Sequence, residues 1–273
     1  MRLFFFTTVG LLSLNACMFR AGGSSTTMTS GEASEALDEA SVSAQASELT
    51  SASIDIATNF TIGQAASQAA QDLASFIASQ LPCADITTSI DTLTIVYGAK
   101  PGVCTYNGHV FSGTQTITII PTSTGVEVDH AWSNFSNGVV SVSGDAQVTW
   151  DAKNPSRHVT HSLDWTRVWD GRQGHGTADV TQTPLTGGVL VGFEENGTRS
   201  WSGTSGFWSL DVDAVQVRWA DPVPQSGSYV LTTPSLKTAT LAFTRLTDTT
   251  IQVSLTSGKS SFEFNVTETG QSG

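Results

Sequence analysis

Positive charge is scarce in this chain. Twelve Lys and Arg stand against 24 Asp and Glu, and charged residues of both signs make up only 13% of the sequence. A net charge of −12 repels phosphate backbones, so nucleic acid is excluded as an expected partner. No apolar run approaches the roughly 20 residues that a membrane-crossing helix needs. The dinucleotide-binding Gly-x-Gly-x-x-Gly and Walker sequences are missing, as are Cys-x-x-Cys and any Cys/His cluster. No paired carboxylates at a spacing suited to hydrolysis stand out. The expectation is therefore a non-enzymatic protein with no cofactor. What the chain has in quantity is Thr, Ser and Gly, a composition suited to strands, turns and an exported surface.

The first residues carry an address. Met1-Arg2 supplies one positive charge, and Leu3 to Leu14 is uncharged and mostly apolar. That pairing is the n-region and h-region of a secretory signal peptide. It ends Leu14-Asn15-Ala16-Cys17, which resembles the lipobox of bacterial lipoproteins. The resemblance implies cleavage after residue 16, a diacylglycerol and further acylation (palmitate) on Cys17, and attachment to a lipid membrane. Met18 rather than Asp after the cysteine is similar to the pattern for outer-membrane delivery. Removing residues 1–16 takes away Arg2 and no acid, leaving 11 Lys and Arg against 24 Asp and Glu, or −13.

Three cysteines are an awkward number in an oxidising compartment. A lipid on Cys17 leaves Cys83 and Cys104 as a pair. Their disulfide would close a loop of about 20 residues and contribute about 3 kcal/mol by chain entropy.

Residues 17–57 read as a flexible Ser/Thr/Ala/Glu-rich tether, because from Ala21 to Ser53 large apolar residues are few. Within it, Glu32–Leu49 is helix-friendly and suits a transient helix. One amphipathic helix is predicted at about 62–81, with Thr61 and Gln64 as a capping box and Pro82 as the stop. Its apolar stripe is Ile62, Ala65, Ala66, Ala69, Leu73, Phe76, Ile77 and Leu81.

From Thr88 the hydrophobic period becomes two. Asn107-Gly108, Asn137-Gly138, Asp170-Gly171 and Asn196-Gly197 are dipeptides of tight hairpins. They start 30, 33 and 26 residues apart, and each is followed by Ser112-Gly113, Ser143-Gly144, His175-Gly176 or Ser202-Gly203; Ser226-Gly227 suggests a worn further copy. The reading is a degenerate hairpin repeat in which the trailing glycine marks a bulge or bend. The predicted fold is mainly β: one domain over 58–273, an antiparallel meander of about ten long strands curled into a half-barrel, a barrel or a two-layer sheet. Gly98, Cys104, the Ser-Gly pair and Thr116-Ile117-Thr118-Ile119 also resemble uncharacterised secreted lipoproteins of Gram-negative bacteria, a likeness that implies no activity.

Few residues suggest chemistry. His158 and His161 would face opposite ways on a strand, which argues against a shared metal, and with His109, His130 and His175 they read as surface or strand-end residues rather than ligands. Ser200-Trp201-Ser202-Gly203-Thr204-Ser205-Gly206 lacks the spacing of a nucleophile elbow. Asp211 and Asp213 lack a calcium-loop glycine and read as solvated acids. Four Asn-x-Ser/Thr sequons, starting at Asn59, Asn134, Asn196 and Asn265, arise readily in so Thr-rich a chain. The most suggestive side chains are Trp132, Trp150, Trp165, Trp169, Trp201, Trp208 and Trp219. Tryptophans on strands are mostly core. Exposed on one face they would stack on a glycan, and lining a curled sheet they would hold an acyl chain or another hydrophobic ligand. The leading expectation is an envelope lipoprotein acting as a structural or binding module, with the carrier and the glycan binder as alternatives. A membrane-spanning barrel is a further possibility that the strand length allows.

Overall fold

The computed structural model describes residues 28–57, 65–106, 109–151, 153, 155–188, 191–218, 220–221 and 223–267. Cys17, Trp219, Thr61, Gln64 and the Asn107-Gly108 turn lie outside them.

Alternating residues from Asp85 onward do what the period of two dictates. Thirteen antiparallel strands form one sheet whose order follows the chain apart from one small excursion. These are β1 (Asp85–Ser89), β2 (Thr92–Tyr97), β5 (Ser112–Pro121), β6 (Gly125–Ser136), β7 (Val140–Asp151), β8 (Arg157–Arg167), β9 (Gln173–Pro184), β10 (Gly192–Gly203), β11 (Gly206–Arg218), β12 (Ser226–Thr232), β13 (Thr238–Arg245), β14 (Thr250–Ser257) and β15 (Ser260–Thr267). The excursion is a two-stranded ribbon, β3 (Thr105–Tyr106) with β4 (His109–Val110). The sheet is open, with β1 and β15 at its edges, so it is not a closed barrel.

The chain divides into two compact units rather than the single domain expected from residue 58. One comprises residues 1–39, 184–196 and 208–273, the other residues 40–183 and 197–207.

Among the described residues two helices precede the sheet, where one was predicted. α2 (Ala66–Gln80) is the expected one, buried along Ala69, Ala70, Leu73 and Ile77 and packed on β1, β2 and β5. It begins at Ala66 behind an extended Ala65, so its start lies four residues later than the predicted one. α1 (Ser30–Ile56) corrects the tether: 27 residues of that stretch are one helix. Its buried stripe is Ala36, Glu39, Val42, Ala46, Leu49, Ser53 and Ile56, spaced by three and four. The stripe is small and partly polar, which is why a search for large apolar residues passes over it. Thr29 and Glu32 form its capping box, with the Thr29 N–H donating to the Glu32 carboxylate at 2.8 Å and the Glu32 N–H to Thr29 Oγ1 at 3.3 Å. Lys237 Nζ reaches both oxygens of Glu32 at 2.7 Å, and this hydrogen bonding, with a smaller contribution from Thr29, holds that carboxyl down at about 2.

The hairpin signals divide into turns and bulges. Asn137-Gly138 and Asp170-Gly171 are turns, joining β6 to β7 and β8 to β9. Asn196-Gly197 is not a turn but lies inside β10, and the turn there is Thr204-Ser205. Gly113 sits where the β5–β6 register slips, at φ 92°, and a Cβ on it would lie 2.2 Å from the Asn134 carbonyl oxygen. Gly227 repeats this on β12, at φ 89° and 2.2 Å from the carbonyl oxygen of Ala214, again at a register slip. The trailing Ser-Gly of the predicted repeat thus marks bulges at both positions.

Candidate functional site

Cys83 and Cys104 form a disulfide, their Cα atoms 5.4 Å apart. It ties the segment after α2 to the loop before β3, and Lys100 N–H donates to the Cys83 carbonyl at 2.9 Å in the same corner.

In the unit built on β1–β9, alternation sorts side chains onto two faces. One face buries Leu93, Ile95, Ile117, Val128, Val142 and Val148. It also buries a chain of polar groups. Tyr97 O–H donates to Gln115 Oε1 at 2.6 Å, and Gln115 Nε2 stands 3.1 Å from His130 Nδ1. With Nδ1 as acceptor, His130 is the neutral Nε2–H tautomer, and that buried nitrogen has no hydrogen-bond partner among the described residues. Burial first, and the Arg157 charge second, push His130 down to about 3. Burial also pushes the Tyr97 hydroxyl up. His130 is buried in the middle of β6, which corrects the expectation of a surface or strand-end histidine.

The C-terminal part of α1 docks here through polar contacts. Trp132 Nε1 donates to Ser53 Oγ at 2.9 Å, and Arg157 Nη2 to Asp55 Oδ1 at 2.7 Å, while Arg157 Nε reaches Gln182 at 2.7 Å. Leu49, Ile54 and Ile56 of the same helix are buried.

Most of the candidate binding tryptophans belong to the core, which corrects the glycan-platform expectation. Trp132, Trp165, Trp201 and Trp208 are buried and Trp150 is half-buried. Trp132 and Trp165 lie directly across the ladder from Gly144 and Gly174, and the Trp201 Cβ is 3.7 Å from where Gly176 would carry its own. Large rings cover the gaps that strand glycines leave, as in aromatic rescue. Among the described tryptophans Trp169, 73% exposed, is the exception.

The opposite face carries Thr, Ser, Asp, Gln and His. His158 Nε2 pairs with Asp179 at 2.7 Å and His175 Nδ1 with Asp164 at 2.9 Å, both exposed and both across neighbouring strands. Those carboxylates are 21 and 11 residues away in sequence, so only the strand register reveals them. His161 points away from His158, as the alternation requires. It is half-buried, and desolvation, then Arg199, push it down to about 3. A shallow concavity of about 290 Å³ on this part of the sheet is lined by Thr116, Thr118, Asp129, Asp145 and Gln147, among others. Asp211 and Asp213 are exposed on β11. Among the described residues no three His, Cys, Asp or Glu side chains are grouped to hold a metal ion, and no helix is long and apolar enough to cross a membrane.

Comparison with protein families, with curated protein sequences and with solved structures finds no match to this chain.

Proposed function

We propose that this chain is a cell-envelope lipoprotein without enzymatic activity, a structural or binding module attached to the outer membrane through a lipid on Cys17. The observation that carries the reading is the Cys83–Cys104 disulfide. It accounts for two of three cysteines and suits an oxidising compartment, leaving the lipobox cysteine as the odd one. On the outer face His158 and His175 each pair with a single carboxylate, while Asp129 and Asp145 line the concavity.

The carrier alternative gains no support from the inner face, where Leu49, Ile54 and Ile56 of α1 and Leu73 and Ile77 of α2 are buried side chains rather than walls of an open cavity. A glycan binder would rest on the hydroxyls, carboxylates and amides of the outer face, not on stacked tryptophans.

Metabolic labelling with an alkyne palmitate analogue tests the anchor. Wild-type protein is expected to carry the label and Cys17→Ser to lose it. Equal labelling of the two would sink the reading.

A further inference from the structure

The two ends of the sheet in the unit spanning residues 40–183 and 197–207 differ in a way that the two faces do not explain. At one end emerge the loop between β2 and β5, the β6–β7 turn, the β8–β9 turn and the β10–β11 turn. Each carries exposed apolar side chains: Val103 and Val110, Val139, Val168 and Trp169, and Phe207. Trp169 and Phe207 are 73% and 60% exposed. At the other end the β5–β6 turn is Thr122-Ser123-Thr124, and the β7–β8 connection offers Lys153 and Pro155. Among the described residues of that end only Ile90 is a large exposed hydrophobe.

Neighbouring tips are held side by side. Val168 N–H donates to the Val139 carbonyl at 2.9 Å. A Cβ on Gly174, at the start of β9, would lie 2.6 Å from the Ser202 carbonyl at the end of β10, so the turns beyond them are adjacent. Trp169 is posed rather than loose. The Arg167 guanidinium lies 4.4 Å from its ring centre and is itself fixed by Asp170, at 2.9 Å from Nε and 2.5 Å from Nη2. The pairing cancels the charge beneath the ring, and Lys100 is likewise paired with Asp85 at 3.0 Å.

We propose that this end of the sheet is a membrane-docking surface, in which Trp169, Phe207 and the flanking valines enter the interfacial layer of a zwitterionic lipid bilayer. The apolar groups sit in ones and twos on four separate turns and loops rather than in one continuous patch. A fluid interface accommodates such a set, whereas a protein partner would need matched pockets. Tryptophan is the side chain that most favours the membrane–water boundary. The paired cations and the net charge of −12 give no attraction to anionic lipid, so the headgroup class is the neutral one.

The inference does not depend on acylation, so it is tested on the full chain carrying Cys17→Ser. Partitioning onto phosphatidylcholine vesicles is measured by sedimentation, and quenching by brominated phosphatidylcholine reads the depth of tryptophan. Expected are vesicle binding with quenching of an exposed tryptophan, loss of that quenching with binding retained in Trp169→Phe, and at least about tenfold weaker partitioning in Trp169→Ser/Phe207→Ser. Ile90→Ser, at the opposite end, should partition like its parent. Equal partitioning of the double variant with an unchanged unfolding curve, or an equal loss from Ile90→Ser, overturns the proposal. So does no partitioning of the Cys17→Ser chain, or lipid-free self-association abolished by the double variant, which would assign the tips to a second copy. Binding that requires phosphatidylglycerol overturns the headgroup assignment. Failure of palmitate labelling would leave these readouts untouched.

Discussion

The two faces of β5–β9 are laid down by the same strands, one residue to each side in turn, yet they answer to different constraints. The inner face buries valines, tryptophans and a hydrogen-bonded run from Tyr97 to His130. The outer face is hydroxyls, carboxylates and His–Asp pairs left in water. On the first, shape and desolvation decide what a residue contributes. On the second, a side chain has solvent as an alternative partner, so its contacts count for little in stability. The contrast implies that substitutions two residues apart should cost alike, and substitutions one residue apart should not.

The largest effect is expected from Trp132→Ala. It removes a buried ring and the bond to Ser53 of α1, and opens the space over Gly144. Denaturant unfolding should show a loss of about 3–5 kcal/mol. Trp132→Phe, which keeps most of the volume, separates the hydrogen bond at about 1 kcal/mol. A loss below 1 kcal/mol in Trp132→Ala would mean that the inner face is not a packed core.

Gly144→Ala comes next. Gly144 holds φ 141°, and an added Cβ would lie 2.1 Å from the Ser162 carbonyl oxygen, backbone that cannot step aside cheaply. About 2–3 kcal/mol is expected from the strained conformation alone. Gly171→Ala, with φ 73° in the β8–β9 turn and nothing within 4 Å of its Cβ, should cost less. If the two substitutions cost the same, close approach between strands is not what selects glycine at position 144.

Much of this architecture can be read directly from residue order. Asn137-Gly138 and Asp170-Gly171 announce their hairpins, and Gly113 and Gly227 their bulges. Asn196-Gly197 deceives because glycine serves equally where strands crowd. Its Cβ would lie 2.2 Å from the Asp179 carbonyl, a long-range fact that no dipeptide carries. The long N-terminal helix was hidden by the size of its buried residues. Ala36, Ala46 and Ser53 suit close approach to a neighbour and look like a linker when only large apolar groups are sought. Its start, however, was legible, since Thr29-Ser30-Gly31-Glu32 is a capping box in plain sequence. The polar chain through His130 and the exposed Trp169 were not legible, because a strand tryptophan or histidine has no mark of its face until the register is known.

The buried histidine gives a pH-dependent form of the same comparison. Its pKa is lowered in the folded state, from an ordinary 6.5 to about 3, because burial disfavours the cation. The unfolded chain then binds the proton first as pH falls, so the contribution is fully present above 6.5 and is lost progressively towards 3. Between pH 7.5 and 5 this amounts to about 2 kcal/mol from this one site, at about 1.4 kcal/mol per pH unit per proton. Urea unfolding across that range should show the decline in the parent and a decline smaller by one site in His130→Gln. An unchanged pH slope in the variant would place the titration elsewhere.

The smallest effect is expected on the outer face, and it is the sharpest test of the contrast. His158 is bonded to Asp179 at 2.7 Å, closer than His130 is to Gln115, so a view in which contact distance sets stability predicts the larger loss here. Yet the His158 and Asp179 side chains are 47% and 68% exposed, and water replaces either partner when the other is removed. His158→Ala is therefore expected within about 0.5 kcal/mol of the parent at pH 7.5, and Thr160→Ala, one alternation along β8, should behave the same way. Val159→Ala lies between those two positions but faces inward and is buried, and it should cost clearly more, about 1–3 kcal/mol. Unfolding curves for the three variants would reverse the interpretation if Val159→Ala proved the mildest, because the strand would then present its working face on the side occupied by His158 and Thr160.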